Sequence, residues 1–242
     1  MTQPHPNEVY YDSFAPGYEA ERAGKRRGGY HDLLDELEAD FVRSFGENRD
    51  VLEVGCGTGL VLQRIAQFAR RAEGVDLSER MLDRARARGL GVRKADATAL
   101  PFDDASFDVT CALKVLPHVE QVQKALGEMA RVTRRGGHLI AEFYNPWSLR
   151  TALKHVLRPG RVSSRLDESH VFTRYDSPRA ARLLLPSSCD VVRCRGLRIV
   201  TPAARAMQVP GLKVALGRAE RALCDTALAH FAGFWLVAAR VR

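Results

Sequence analysis

The chain has 242 residues, 45% of them hydrophobic, and a formal charge of +8, enough for one domain with a large core and short for two. No run reaches the roughly 20 apolar residues that span a bilayer, and the amino terminus lacks the basic start and apolar stretch of a signal peptide, so a cytoplasmic location is expected. Five scattered cysteines and seven dispersed histidines show neither disulfide-framework nor metal-ligand spacing, which argues for packing roles and against a metal.

In chain order, Met1–Gly29 is rich in turn-formers and charge and reads as a mobile lead-in. Tyr30, Leu33, Leu34, Leu37, Phe41 and Phe45 recur at helical spacing and predict one amphipathic helix over 30–45. From Asp50 short apolar runs alternate with helix-period stretches, the pattern of a parallel sheet with crossover helices. Strands are expected at 50–55, 72–76, 91–95, 106–112 and 136–143, with helices near 59–69, 78–88 and 119–133. Ser78 reads as an N-cap, and Val122, Ala125, Leu126, Met129 and Ala130 as a sheet-facing stripe, closed by Gly136–Gly137. Beyond Asn145–Pro146 the spacing predicts an amphipathic helix over Leu149–Leu157, a short helix near 178–185, a strand near 190–200, a helix around 212–224 and a last strand, 231–241. The last two strands are expected to be antiparallel neighbours.

The most informative run is Val51–Gly59, VLEVGCGTG. An apolar strand ending in a Gly-x-Gly-x-Gly turn sets a bare backbone loop where a ligand can approach closely. Dinucleotide folds want G-x-G-x-x-G, yet Leu60 stands where the third glycine belongs. Asp76 ends the second strand, the place of an acid that grips ribose hydroxyls.

Glu53-Val54-Gly55-Cys56-Gly57-Thr58-Gly59, Gly74-Val75-Asp76-Leu77-Ser78, Ala95-Asp96-Ala97 with Leu100-Pro101-Phe102, Phe107-Asp108-Val109, and Glu128-Met129-Ala130-Arg131-Val132 before Gly136-Gly137 closely resemble class I S-adenosylmethionine-dependent methyltransferases. The likeness covers about residues 50–143 and is greatest to the branch that holds the ubiquinone and menaquinone C-methyltransferases and many small-molecule enzymes. One departure is Arg134-Arg135 where the family usually has a proline before the glycines. The resemblance implies an α/β, Rossmann-like fold: a seven-stranded, mostly parallel sheet with the last strand antiparallel, helices on both faces, and helical insertions after strand five and between strands six and seven. It implies one methyltransferase domain over 1–242, divided into a lid and helix (1–45), a cofactor-binding core (46–143), and substrate-cap helices with the last two strands (144–242).

The same resemblance implies the site. The loop Gly55, Cys56 and Gly57, with Thr58 and Gly59 completing it, would line the amino-acid end of S-adenosylmethionine, and Glu53 would stand near its ammonium. Asp76 would take the ribose hydroxyls, Leu77 would pack on adenine, and Asp96 with Ala97 beside it would meet the adenine amino group. Tyr18, in the tyrosine-bearing lead-in, would close over the cofactor. The segment Ala112–His118 would run beneath the reacting methyl. There His118 reads as a base for a substrate hydroxyl or amine, or as a structural histidine at a strand–helix junction. Lys114 is placed with the cofactor shell, a substrate anion or solvent being its other readings. Phe143–Trp147 superficially resembles the N-P-P-Y loop of amino-group methyltransferases but lies after the wrong strand, so Tyr144 and Trp147 read as a pocket wall.

Charge divides the chain. Residues 1–145 hold 20 Lys and Arg against 23 Asp and Glu, and residues 146–242 hold 17 against 6, net +11. This suits an anionic substrate, a membrane surface or nucleic acid, or an Arg-rich solvated face. The primary expectation is methyl transfer to a small-molecule acceptor, apolar or amphipathic, by a monomer or homodimer. The rivals are a nucleic-acid or protein methyltransferase guided by the basic segment, which lacks any RNA-binding motif, and an S-adenosylmethionine-binding module without catalysis. The basic amphipathic helices Leu149–Leu157 and Leu212–Leu223 read as packing their apolar faces on the chain's own core with the charges toward water, peripheral contact with anionic lipid being the alternative.

Overall fold

The computed structural model describes residues 6–23, 29–148, 172–201 and 204–242. Helix α1 is Pro6–Ala23 and α2 is Tyr30–Gly46. The alternating core then runs β1 (Asp50–Val54), α3 (Leu60–Ile65), β2 (Arg71–Asp76), α4 (Glu79–Ala87), β3 (Gly91–Lys94), β4 (Phe107–Ala112), α5 (Val122–Val132) and β5 (Thr133–Tyr144). After it come α6 (Pro178–Leu184), β6 (Cys189–Leu197), α7 (Pro210–Leu223) and β7 (Phe234–Val241).

The seven strands lie in the order β3-β2-β1-β4-β5-β7-β6. Strands β1 to β5 are parallel, and β7 runs antiparallel between β5 and β6. The winding reverses between β1 and β4. Open α/β sheets form their ligand crevice at such a switch point, outside the carboxyl ends of the strands.

The sheet carries a core on each face. Successive residues of a strand point to opposite sides, so Val51 joins Leu34, Phe41, Val42 and Ile140 in one cluster, and Leu52 joins Leu126, Met129, Leu139 and Trp235 in the other. The expected stripe of α5 is buried, and Ser78 caps α4 by accepting from the Met81 N–H at 3.2 Å. Among the described residues no helix is long and apolar enough to cross a membrane.

Several expectations change. The lead-in is helical over 6–23 despite Pro16, which removes one N–H from the helix interior. Its offset lies in tertiary contacts: Asp12 accepts from Ser78 Oγ at 2.5 Å, and Glu8 and Glu19 pair with Lys94 and Arg88, each at 2.6 Å. Helix α3 stops at Ile65, and the chain turns through 66–69. Gly136–Gly137 does not close α5, which ends at Val132. The pair lies inside β5, where a Cβ on Gly137 would sit 2.4 Å from the Asp108 carbonyl oxygen. The last strand begins at Phe234, after a short 3-10 turn at 227–231. The helix expected over Leu149–Leu157 lies outside the described residues.

Candidate active site

A cavity of about 740 Å³ opens along the carboxyl ends of the strands, bordered by the β1 loop, the β4 loop, α1 and the ends of β5 and β7. At its centre the β1 loop bends back on β2, with the N–H groups of Gly55 and Cys56 both donating to the Val75 carbonyl, at 2.7 and 2.9 Å. Gly55 has φ +76°, and a Cβ there would stand 2.5 Å from Val115 on the β4 loop. Gly57 has φ +53°, with nothing within 4 Å of where a Cβ would go. The first glycine lets two loops touch, and the second leaves backbone bare toward the cavity.

The Cys56 backbone borders the cavity while its side chain is buried with Leu62 and Leu82, and burial pushes its thiol pKa up. Thr58 also lines the cavity. Gly59, expected in the cofactor loop, does not: it is the N-cap of α3, and a Cβ there would meet Leu90 at 2.4 Å. Its role in the structure is packing.

Asp76 is held by its own neighbourhood. One carboxylate oxygen accepts from Gly57 N–H at 2.8 Å and the other from Ser78 N–H at 2.9 Å. Burial nevertheless pushes its pKa up, outweighing those bonds. Leu77, Asp96 and Ala97 line the same end. Asp96 accepts from Thr98 N–H at 2.8 Å. Behind it, Glu128 accepts from Leu100 N–H at 2.8 Å while Arg131 donates to the carbonyls of Leu100 and Phe102 at 3.1 and 2.9 Å. The acid and the arginine of that motif therefore fix the loop that carries Asp96.

Glu53 is buried, with Oε2 making no hydrogen bond. Burial first, then repulsion from Glu38, pushes its carboxyl well above the usual range. Lys114, at φ +61°, borders the cavity, but its ammonium lies 2.8 Å from Asp35 and 2.7 Å from Glu38, both buried on α2. It fastens the β4 loop to α2, a role its expected place in the cofactor shell did not foresee. Glu142 on β5 is fully buried beside this group, and burial pushes its carboxyl well above the usual range against the attraction of Lys114. Asp35, Glu38 and Glu142 were missed from sequence. The signal was there: charges on an otherwise apolar helix face and inside the apolar run Leu139–Phe143.

The end of the cavity at His118 is aromatic. His118 closes the 3-10 turn Leu116–His118, with its ring 6.4 Å from Tyr11 and 5.7 Å from Tyr144, both edge-on. Its Nδ1 lies 3.1 Å from the Phe172 carbonyl and 3.2 Å from Thr173 Oγ1. A carbonyl only accepts, so the tautomer that satisfies this contact carries its proton on Nδ1 and has its basic lone pair on Nε2. Tyr18 borders the cavity from α1, packed edge-on to Phe14 at 5.4 Å. Tyr144 lines the cavity, whereas Trp147, expected in its wall, is 73% exposed and outside it. Asn145, just before it, turns its amide inward to the carbonyls of His230 and Ala232.

These groups fit S-adenosylmethionine. A carboxylate has about four lone-pair sites, so Asp76 keeps acceptor capacity for a ribose diol after two backbone bonds. The orphaned oxygen of buried Glu53 suits an ammonium, and the open face of Gly57 a close-lying chain.

Comparison with known proteins agrees. A family described as "Methyltransferase domain" matches residues 52–141. The 27-O-demethylrifamycin SV methyltransferase of Amycolatopsis mediterranei is 32% identical over 162 residues, 57% of this chain and 59% of that protein. A demethylmenaquinone methyltransferase of Renibacterium salmoninarum is 36% identical over 146 residues, 58% and 61%. The chain thus spans less than two thirds of either relative. The fold matches that of an S-adenosylmethionine-dependent methyltransferase from Thermotoga maritima, with TM-score 0.66 at 20% identity over 99% of this chain and 100% of that one. Residues 52–141 of this chain thus match a methyltransferase domain, carried on the fold of the S-adenosylmethionine-dependent methyltransferases.

Proposed function

We propose that the protein methylates a small, largely apolar acceptor on a hydroxyl or amine whose proton His118 removes. When bound, S-adenosylmethionine supplies a methyl already made electrophilic by its sulfonium. Asp76 and Asp96 would hold its nucleoside, and Glu53 with the backbone of Gly55–Gly57 its amino-acid end. What remains for the chain is to align the acceptor, exclude water and take a proton.

The observation that supports the reading is the anchoring of His118. Its Nδ1 is engaged by the Phe172 carbonyl, so Nε2 is the basic atom, within a cavity that the glycine loop also borders. Tyr11 and Tyr144 flank the imidazole, and burial raises both phenols, so they are neutral walls rather than competing bases. The relatives named for a rifamycin and for demethylmenaquinone support a small-molecule acceptor.

Titration calorimetry with S-adenosylhomocysteine tests the cofactor half. Wild type should bind saturably, and Asp76→Ala should weaken binding about 100-fold, the loss of two bonds to a charged group. Methyl transfer to a panel of phenols, alcohols and amines tests the other half. His118→Ala should lower kcat about 100-fold or more and leave S-adenosylhomocysteine affinity unchanged. Unaltered turnover in that variant would remove His118 from the chemistry.

A further inference from the structure

The cavity's far end, across the sheet from Asp76 and Asp96, holds a second cation besides Lys114. Arg198 follows β6, borders the cavity, and is 8% exposed. Its guanidinium lies 5.0 Å from the centroid of the Tyr30 ring on α2. The residue is at φ +62°, a conformation in which glycine or asparagine is the cheaper choice.

The surroundings fix that geometry. The Arg198 carbonyl accepts from Gly233 N–H at 3.1 Å. The next three N–H groups, of Ile199, Val200 and Thr201, donate to the carboxylate of buried Glu220 at 2.9, 3.0 and 2.9 Å, and Thr201 Oγ1 adds a fourth bond at 2.8 Å. Gly233 leaves room for the side chain, since a Cβ there would stand 3.3 Å from Arg198 Cδ. A carboxylate that caps three successive amides makes a rigid platform, and Arg198 is its first residue.

Topology decides which ligand this platform faces. Apart from Lys114 after β4 and Tyr18 on α1, the expected cofactor residues lie on or just after β1, β2 and β3, while Arg198 follows β6, at the opposite edge of the sheet. Three strand spacings of about 4.8 Å separate β4, which leads to His118, from β6. Between them the wall is Tyr144, Tyr175 and Phe234. The cavity thus has a base at one end of an aromatic stretch and a guanidinium at the other.

We propose that Arg198 anchors an anionic group, a carboxylate or phosphate monoester, on the methyl acceptor, whose apolar body lies along the aromatic wall with its reacting group beside His118. This rests on the methyltransferase reading above. Charge-assisted, two-pronged hydrogen bonds to a planar guanidinium would give it both strength and direction.

The test uses the full chain as wild type, Arg198→Gln and Arg198→Lys, each checked for fold by circular dichroism. With S-adenosylhomocysteine saturating, calorimetry is run with octanoate, decanoate, dodecanoate and decyl phosphate, and with the matched alcohols. Wild type should prefer an anion to its alcohol by about tenfold or more, Arg198→Gln should erase the preference, and Arg198→Lys should keep part of it. No preference in the wild type, which needs no variant to fold, overturns the proposal, as does an unchanged preference in Arg198→Gln. A second arm compares S-adenosylhomocysteine with 5′-methylthioadenosine, which lacks the amino-acid end. If Arg198→Gln weakened only the former, Arg198 would serve the cofactor carboxylate and the acceptor assignment would fall. Failure of the wild type to bind S-adenosylhomocysteine at all would sink the underlying reading instead.

Discussion

Gly55 and Gly57 stand two residues apart in one turn and answer to different constraints. Both have positive φ, but only Gly55 faces a neighbour, Val115, at 2.5 Å from where its Cβ would lie. Gly57→Ala should cost about 1 kcal/mol, roughly 3 °C in Tm, from backbone strain alone. It should still fold and yet bind S-adenosylhomocysteine more weakly, because the methyl group fills the open face. Gly55→Ala adds overlap to strain and should cost about 2–4 kcal/mol. Thermal melts with calorimetry on both variants separate the two roles, and equal loss of stability would refute the distinction. Glu53 yields a second outcome at this scale. Burial holds its carboxyl well above the usual 4.5, and an ammonium beside it would pull that value back down. Binding of S-adenosylhomocysteine at about pH 6 should therefore release protons, read as a heat that varies with buffer ionisation enthalpy. Glu53→Gln, or 5′-methylthioadenosine in place of the full ligand, should abolish that dependence.

At the scale of elements, α1 covers the cavity with Tyr10, Tyr11, Phe14 and Tyr18 while charged contacts fasten it to α4 and β3. The two ion pairs, Glu8–Lys94 and Glu19–Arg88, are partly exposed, so salt should loosen them. Together they are worth about 1 kcal/mol, or roughly fivefold in affinity if the helix must be seated for binding. Raising the salt from low to molar should weaken S-adenosylhomocysteine by that factor in wild type and hardly at all in Glu8→Gln/Glu19→Gln. Identical salt slopes would show that the helix sits independently of these pairs. This helix was illegible in the sequence, for Pro16 and Gly17 interrupt its pattern and its stabilising partners lie more than 60 residues away. The strands and crossover helices from Asp50 to Ala141 were legible because apolar periodicity and turn glycines are local signals. For the same reason the β1 loop, Asp76 and Asp96 could be placed from their motifs, whereas Arg198 could not: its meaning comes from Glu220, Gly233 and Tyr30, brought together only by the sheet.

Across the whole molecule, the two faces of the sheet are sealed by apolar clusters, yet Asp35, Glu38, Glu53 and Glu142 are buried near the single ammonium of Lys114. Asp35 and Glu38 take that ammonium directly, and among the described residues Glu142 meets burial without an ion pair of its own at contact distance. Burial, then repulsion from Glu38 and Asp35, outweighs the attraction of Lys114 and pushes Glu142 well above its usual 4.5. A carboxyl whose folded pKa exceeds its unfolded one contributes stability that is full below the unfolded value and is lost as pH rises through the folded value. Global stability should therefore decline as pH rises above the usual 4.5 by more than surface charge alone dictates. Glu142→Gln removes the titration while retaining size and a polar head. Its own buried amide carries a fixed cost, so the informative quantity is the difference in Tm from wild type as a function of pH. That difference should shift in favour of the variant as pH rises from about 5 to 9, and a difference that stays flat would mean that Glu142 holds the same charge throughout. Because Lys114 ties α2 to the β4 loop beneath His118, the same pH range should leave S-adenosylhomocysteine affinity more stable in Glu142→Gln than in wild type.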